Sequence, residues 1–456
     1  MMSKNSETRG QIPKKNGMLM TEGSIFRCLL FFAVPLILGN LLQQTYNAVD
    51  SIIVGNYVGR NGLAAVGSST SLILLLISFS QGAAIGAGVI VSQYLGARDR
   101  DNVQSAVHTA LSIAGGLGLL LSLIGAVFSR QILEWMNTPE EVLVNSAVYL
   151  RIFSCGLVFN VLYNMCAGIL NAAGNSKRSL RYLAVASVTN IILDLLLICV
   201  FQLGVAGAAI ATTISQALSM CLALRFLLRV PSDYQVSFSK LGIRPQMAKR
   251  IVFVGLPTGI QNMLISLSNV IVQTSVNHFG AAAMAGFGAY MKIDGFNVLP
   301  LLSIGMSMTT FVGQNYGAGR YDRIKKGIRI SVCMALCYTA VTSTLLLLFS
   351  NEVMRLFTSD PTVIAYAVLA MRYFCPFYWT PGVLHALAGA VRGTGKTIPP
   401  MIVLILSFFV FRVLWIRLVL PFFDSMDGVL IQYPVCWTLG MLMMILYVWK
   451  GKWLKK

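Results

Sequence analysis

Long apolar stretches recur along the whole chain, and few polar residues interrupt them. A helix needs about 20 apolar residues to cross the hydrocarbon core of a bilayer. Twelve stretches of this kind, numbered here as spans 1–12, lie at 25–57, 62–94, 103–128, 142–171, 180–201, 205–228, 250–278, 283–316, 328–349, 363–390, 398–420 and 428–449. They are continuously apolar and do not alternate with polar residues, which predicts helices rather than a β-barrel. The pattern therefore predicts an all-α integral membrane protein with twelve transmembrane helices.

The second half of the chain repeats the first at a nearly constant shift in numbering. The segment "VSQYLGARDRD" at 91–101 returns as "VGQNYGAGRYD" at 312–322, which is 221 residues later (312 − 91). This shift of 221 residues is called here the repeat offset. Since each half holds six spans, both halves have the same orientation, with a pseudo-twofold axis along the membrane normal. Parallel repeats of this kind are typical of secondary transporters. The sequence thus predicts two homologous six-helix lobes.

The longest interior polar stretch separates the two halves and predicts a linker. The predicted parts are an N-terminal tail (1–24), an N-lobe (25–229), a linker (230–248), a C-lobe (249–449) and a C-terminal tail (450–456). Pro35 and Pro257 lie in the first span of each lobe. Because proline removes an internal helix hydrogen bond and allows bending, we expect a hinge at each of them.

The distribution of charge predicts how the chain is oriented. The net charge is +19, and 27 of the 35 Lys and Arg residues lie near the two chain ends or in loops that follow even-numbered spans. Positive residues mark cytoplasmic loops, so we expect an inner-membrane protein with both termini cytoplasmic. The same residues can contact anionic membrane lipid. This placement in loops argues against a nucleic-acid partner.

Motifs for other classes of protein are missing from the sequence. The nine cysteines form no CxxC pair, which argues against a metal or disulfide framework. The "RGTGKT" segment at 392–397 lacks the five-residue lead of GxxxxGK[ST], so ATP-driven transport is disfavoured. We therefore expect no cofactor.

Only three of the sixteen acidic residues lie well inside the spans: Asp50, Asp194 and Asp294. An ionisable group there costs roughly 3 kcal/mol, which makes function the default hypothesis. At 1.5 Å per residue, Asp50 and Asp194 lie roughly 13 Å below the outer mouth of the membrane. The same count places three polar residues at that depth. They are Tyr149, Asn190 and Thr212.

This layer offers what a coupling cation or proton needs. The carboxylate, amide and hydroxyl oxygens of Asp50, Asn190, Asp194 and Thr212 are hard ligands that suit Na⁺. Burial and a like-charged neighbour both favour the protonated form of a carboxylic acid, so one of the two acids could instead carry H⁺. The residues leave the choice of ion open.

The C-lobe does not copy the acid layer. The position that corresponds to Asp194 falls near Arg412, so the two lobes differ in charge. We expect the N-lobe to carry the coupling ion and the C-lobe to shape the substrate cavity, with Asp294, Lys292 and Arg412 as candidate lining residues. Lys292 and Asp294 are two residues apart and should point to different sides of their helix.

Several of these segments resemble the multidrug and toxic compound extrusion (MATE) family. The similar stretches are "PLILGNLLQQTYNAVDSIIVG" in span 1, the V-x-Q-x-x-G-A ends of spans 2 and 8, "TNIILDLLLI" and "GVAGAAIATTISQ" in spans 5 and 6, and "GAVRGTGKT" after span 10. The resemblance covers nearly the whole chain. It implies two lobes around a V-shaped cavity and the export of drugs against inward Na⁺ or H⁺. It also implies acidic and polar N-lobe residues at Asp50, Tyr149, Asn190, Asp194 and Thr212.

The C-lobe departs from one branch of that family. The NorM-like branch uses acids in spans 7 and 10, whereas span 7 here reads "PTGIQNMLISLSN" and Pro381 lies near the carboxylate position expected in span 10. The departure resembles the DinF-like branch and argues against a cation site in the C-lobe.

The sequence therefore predicts a monomeric, secondary active exporter of amphipathic, cationic drugs or metabolites, with no enzymatic step. An alternative is a lipid-linked oligosaccharide or lipid flippase of the same superfamily, which would need a strongly cationic cavity. A membrane-embedded enzyme would need clustered His, Asp or Cys, but His108, His278 and His385 are scattered. A structural or receptor role leaves the acid layer unexplained.

Overall fold

The structure, a computed structural model, describes residues 19–136, 138–451 and 453–454, and their regular elements are all helical. The first eighteen residues of the predicted N-terminal tail lie outside the described residues, as do three of the last five residues of the chain. The α-helices are α1 (Ile25–Tyr57), α2 (Arg60–Ala97), α3 (Arg100–Trp135), α4 (Glu140–Cys155), α5 (Leu157–Ala172), α6 (Ser176–Asp194), α7 (Gly204–Arg229), α8 (Pro245–Asn277), α9 (Ala281–Gly317), α10 (Tyr321–Leu348), α11 (Ser350–Arg355), α12 (Pro361–Phe374), α13 (Trp379–Gly393), α14 (Ile398–Ile405), α15 (Phe411–Leu418), α16 (Asp427–Leu430) and α17 (Gln432–Lys450).

Ten segments of the described chain are long and apolar enough to cross a membrane as continuous helices. The other two predicted spans are broken. Span 4 consists of α4 and α5, which meet at Gly156 with a bend of 46°. Span 10 consists of α12 and α13, separated by the 3-10 turn Cys375–Phe377. Pro376 lies in this turn and has no backbone N–H to continue the helix. The all-helical fold in two lobes is thus confirmed, and two of its spans are each broken into two helices.

The two lobes repeat the same helix crossing. In the N-lobe, a Cβ added at Gly168 of α5 would lie 2.7 Å from the Ala84 carbonyl oxygen of α2. In the C-lobe, a Cβ at Gly389 of α13 would lie even closer to the Gly305 carbonyl oxygen of α9. Gly389 and Gly305 lie one repeat offset after Gly168 and Ala84, respectively. The repeat in the sequence is therefore also a repeat of backbone contacts.

We expect Gly389→Ala to lower the thermal stability of the purified protein, and Gly168→Ala to lower it less. Either methyl group would press on backbone that cannot move aside, and overpacking of this kind costs about 1–3 kcal/mol. The measurement is the midpoint of thermal unfolding in detergent. Gly116→Ala is the control, because nothing lies within 4 Å of a Cβ there. Equal midpoints for all three variants would contradict the crossing.

The linker lies against the first turns of α3. The α8 helix begins at Pro245, so the linker ends four residues before the predicted boundary at 248. The Ser237 N–H donates to His108 Nε2 (3.0 Å), and His108 Nδ1 lies 2.7 Å from the Gln104 carbonyl oxygen. Because Nε2 accepts, Nδ1 carries the proton and donates to Gln104. His108 therefore joins the linker to α3 through a hydrogen bond at each ring nitrogen.

The lobes are joined at the end of the bundle where α1 begins and α17 ends, called here the terminal end. From this end the contact between the lobes reaches to about the middle of the α2 and α8 helices, where a Cβ at Gly82 would lie 2.7 Å from the Gly259 Cα. Leu29 and Phe32 of α1 belong to the apolar core of the C-lobe. Among described residues, the hydrogen bond between the lobes farthest from the terminal end joins Asn40 and Ser303 (3.1 Å).

At the opposite end the lobes have separate cores. One apolar cluster runs from Ile53 in α1 to Ala209 in α7, and its described members all belong to the N-lobe. The lobes are thus closed against each other at the terminal end and diverge toward the opposite end.

Candidate functional site

Two acidic side chains face each other inside the N-lobe. Asp50 of α1 and Asp194, the last residue of α6, lie close enough for their carboxyl groups to share a hydrogen bond when one is protonated. Asp194 is fully buried, and Asp50 is half-buried. The structure thus brings together two acids from the first and fifth spans of the sequence.

The oxygens of this site lack hydrogen-bond donors. Four buried oxygen atoms have no partner among the described residues: Asp50 Oδ1, both carboxylate oxygens of Asp194, and Asn190 Oδ1. The Asn190 amide N–H donates to Thr212 Oγ1 (3.4 Å), which leaves its oxygen free. Buried polar atoms are rarely left unsatisfied, so these oxygens need a hydrogen-bond donor or a cation. A proton shared by the carboxyl groups or a bound hard cation would each meet that need.

Two tyrosines lie near the acids: Tyr149, which the sequence predicted, and Tyr46, which it did not. Tyr149 of α4 lies within electrostatic range of both acids, as predicted from its depth. Tyr46 lies one turn before Asp50 on α1 and within range of both Asp50 and Tyr149. The spacing of four residues between Tyr46 and Asp50 could have identified it, because residues four apart share a helix face. All five predicted members therefore occupy one region, while their roles stay predictions.

A local change of helix type follows the acid. The backbone forms a π-helix at Leu195–Val200, directly after Asp194. A second π-helix, Leu406–Val410, occupies the corresponding span of the C-lobe, two residues before Arg412. Short π-helical stretches inside α-helices occur often at functional sites. Here they immediately adjoin the two charged residues that distinguish the lobes.

The C-lobe surrounds its charged residues with aromatic rings. Arg412 is 2% exposed and donates to Asn269 Oδ1 (2.9 Å) and to Cys436 Sγ (3.3 Å). Its guanidinium also lies 4.4 Å from the ring centroid of Tyr433. Such cation–π contacts contribute about 2 kcal/mol when they are desolvated. Arg412 is therefore held in the packed interior of the C-lobe.

Asp294 and Lys292 point apart, as their spacing predicted. Asp294 accepts a hydrogen bond from the Tyr378 hydroxyl, which lies 2.6 Å from the hydroxyl oxygen of Tyr290. Lys292 is exposed on another face of α9. The three candidate cavity residues of the C-lobe thus do not converge on one wall, although Arg412 and Asp294 lie within electrostatic range of each other.

The two prolines proposed as hinges lie inside continuous helices. Pro35 is in the interior of α1 and Pro257 in the interior of α8, and both are buried. Pro257 lies between Gly255 and Gly259, whose backbones contact α2. Their hinge role stays a prediction.

Comparison with protein families identifies the MatE model, which matches residues 35–196 and 257–416. The two matched segments fall in the two lobes and leave out the linker.

Named relatives align over most of their length. The chain is 29% identical to the probable multidrug resistance protein YoeA of Bacillus subtilis, covering 95% of this chain and 96% of that protein. It is 30% identical to the probable multidrug resistance protein YpnP of the same organism, covering 86% and 88%. A solved structure described as the outward-facing conformation of a multidrug resistance MATE family transporter superposes with a TM-score of 0.90, at 21% identity over 98% of this chain and 100% of the other.

Proposed function

Because this chain belongs to the MatE family, whose members are transporters and not enzymes, we propose that it exports amphipathic, cationic organic compounds in exchange for inward H⁺ or Na⁺. The observation that carries the proposal is the group of four buried oxygens without donors around Asp50 and Asp194. The names of the aligned relatives support multidrug efflux. The departures in spans 7 and 10 support a DinF-like type.

The terminal end of the bundle is proposed to face the cytoplasm, because the positive loops lie there. The closed terminal end and the divergent opposite end then correspond to an outward-open state. In this state the half-buried Asp50 is reached from outside, and the fully buried Asp194 lies behind it.

The exchange follows from the charge of the acid pair. An entering H⁺ or Na⁺ neutralises part of the negative charge that Asp50 and Asp194 share. This weakens the attraction of the cavity for a cationic compound, which leaves to the outside. The neutralised pair is less costly to enclose, so the lobes can close outside and open inside. Release of the ion there restores the affinity for the next cationic compound.

The test is dye efflux from liposomes that contain the full-length protein. A pH gradient and a Na⁺ gradient are imposed separately on vesicles loaded with a cationic fluorescent dye. We expect one of them to drive efflux at a rate well above that of protein-free liposomes. Efflux at the protein-free rate under both gradients would refute the antiport. An increase of the unfolding midpoint in NaCl over choline chloride would assign Na⁺, since a ligand stabilises the state that binds it.

A further inference from the structure

The repeated V-x-Q-x-x-G-A segments meet at the terminal end and exchange contacts between the lobes. Gln93 of α2 donates from Nε2 to the carbonyl oxygen of Gly393 (3.0 Å), the last residue of α13 in the C-lobe. Gln314 of α9 donates from Nε2 to the carbonyl oxygen of Ala172 (2.8 Å), the last residue of α5 in the N-lobe. The two donors are related by the repeat offset, and so are the two acceptors. Each glutamine therefore satisfies a free helix-terminal carbonyl across the lobe boundary.

The glycine of each segment allows this reciprocal approach. A Cβ added at Gly96 would lie well under 3.0 Å from the Gln314 carbonyl oxygen, and one at Gly317 equally close to that of Gln93. Real Cβ atoms essentially never come so near. The two backbones therefore fit together only because both positions are glycine.

The residues just before α1 cover one of the two glutamines. The Met20 N–H donates to Gln314 Oε1 (2.7 Å), so Gln314 uses both ends of its amide. The Met20 carbonyl accepts from Asn315 Nδ2 (3.2 Å) and Arg323 Nη2 (3.1 Å), and the Thr21 carbonyl accepts from Arg320 Nη1 (2.7 Å). Met20 is fully buried. This strap, residues 20–23, ties the start of the N-lobe to the C-lobe.

We propose that Gln93 and Gln314 form a paired latch of the inner gate, which both lobes must release before the terminal end opens. The inference rests on the proposed alternating-access function. Both hydrogen bonds cross the boundary between lobes, so neither can persist when the lobes separate there. Gln314 also holds the strap and is fully buried, whereas Gln93 is half-buried. The two halves of the latch therefore differ in strength.

A native cysteine reports on this gate. Cys28 is fully buried, and its thiol donates to the Glu22 carbonyl in the strap (3.4 Å). Opening of the terminal end or release of the strap should expose it. Its alkylation by N-ethylmaleimide can be followed by peptide mass spectrometry, which separates it from the other eight cysteines. This measurement requires neither a substrate nor an ion gradient. Its result therefore tests the gate separately from the proposed antiport.

The experiment compares wild type with Gln93→Met and Gln314→Met in lipid nanodiscs. Methionine keeps the length of the side chain and removes the amide. We expect both variants to raise the rate of Cys28 alkylation, roughly five- to tenfold for Gln314→Met, which loses two buried hydrogen bonds. The rise for Gln93→Met should be smaller. Hydrogen–deuterium exchange of the peptide around 312–319 should accelerate in parallel.

The matched control is Gln104→Met, at the same end of the bundle. The Gln104 amide donates to the carbonyl oxygens of Asp233 (2.9 Å) and Gln235 (3.1 Å) in the linker, and among the described residues it has no hydrogen bond to the C-lobe helices. Wild-type alkylation rates in both latch variants, or an equal rise in Gln104→Met, would overturn the latch. If Gln314→Met does not fold, the alkylation rate of Cys28 in Gln93→Met alone tests the latch, because Gln93 is only half-buried.

Discussion

Asp194→Asn is expected to lower gradient-driven efflux strongly, and Asp50→Asn to do the same. Asparagine has nearly the same shape as aspartate but can hold neither a proton nor a charge at this site. If the acid pair no longer exchanges a positive ion, the ion gradient cannot supply free energy for export of the cationic compound. Coupling energies of this kind correspond to about 5–150-fold changes, so we expect efflux to fall by about tenfold or more. The measurement is the liposome assay under whichever gradient drives wild type.

The same substitutions should leave the fold intact. In Asp194→Asn the asparagine amide offers a donor to the facing carboxylate of Asp50, whose buried Oδ1 has no partner among the described residues. The unfolding midpoint of Asp194→Asn should therefore equal or exceed that of wild type. Asp294→Asn is the matched control, because it removes a buried acid of the other lobe. It should keep ion coupling, since Asp294 is bound to Tyr378 rather than to the N-lobe pair. Wild-type efflux in both N-lobe variants would refute the site.

Gly96→Ala and Gly317→Ala are expected to prevent closure of the terminal end. The added methyl group would collide with a backbone carbonyl of the other lobe only when the lobes are closed there. Overpacking costs about 1–3 kcal/mol, which would lower the closed population by about tenfold. Dye efflux should fall accordingly, while the alkylation rate of Cys28 should rise.

The chain provides a control on the same two helices. Gly67 of α2 and Gly288 of α9 are also related by the repeat offset, and a Cβ at either would meet nothing within 4 Å. Gly67→Ala and Gly288→Ala should therefore transport and alkylate like wild type. If Gly96→Ala and Gly317→Ala behave like these controls, close approach at the repeated glycines has no part in gating.

Much of the architecture could be predicted from the sequence because lipid constrains local composition. Every stretch of about 20 apolar residues must become a helix to satisfy its backbone, so the spans and their helical type follow from hydropathy. The repeat offset follows from the repeated letters. The isolated acids Asp50 and Asp194 could be selected because charge inside a membrane is costly.

Other features depend on interactions that hydropathy does not record. The break in span 10 depends on Pro376, which a hydropathy window treats like any other residue of the span. The bend at Gly156 and the π-helix after Asp194 depend on how neighbouring helices pack. Tyr46 was missed because the candidates were chosen by their depth in the membrane. Residues on the same face of α1 as Asp50 were not considered.

The membrane helices, the two homologous halves and the acids worth testing can be predicted from the chain alone, because they follow from composition and repetition. Three further facts come from the three-dimensional structure: Asp50 and Asp194 face each other, aromatic rings enclose Arg412, and the repeated glutamines form hydrogen bonds between the lobes. Each of those facts depends on the rotation and crossing of helices far apart in the chain. That geometry is set by side-chain packing in three dimensions.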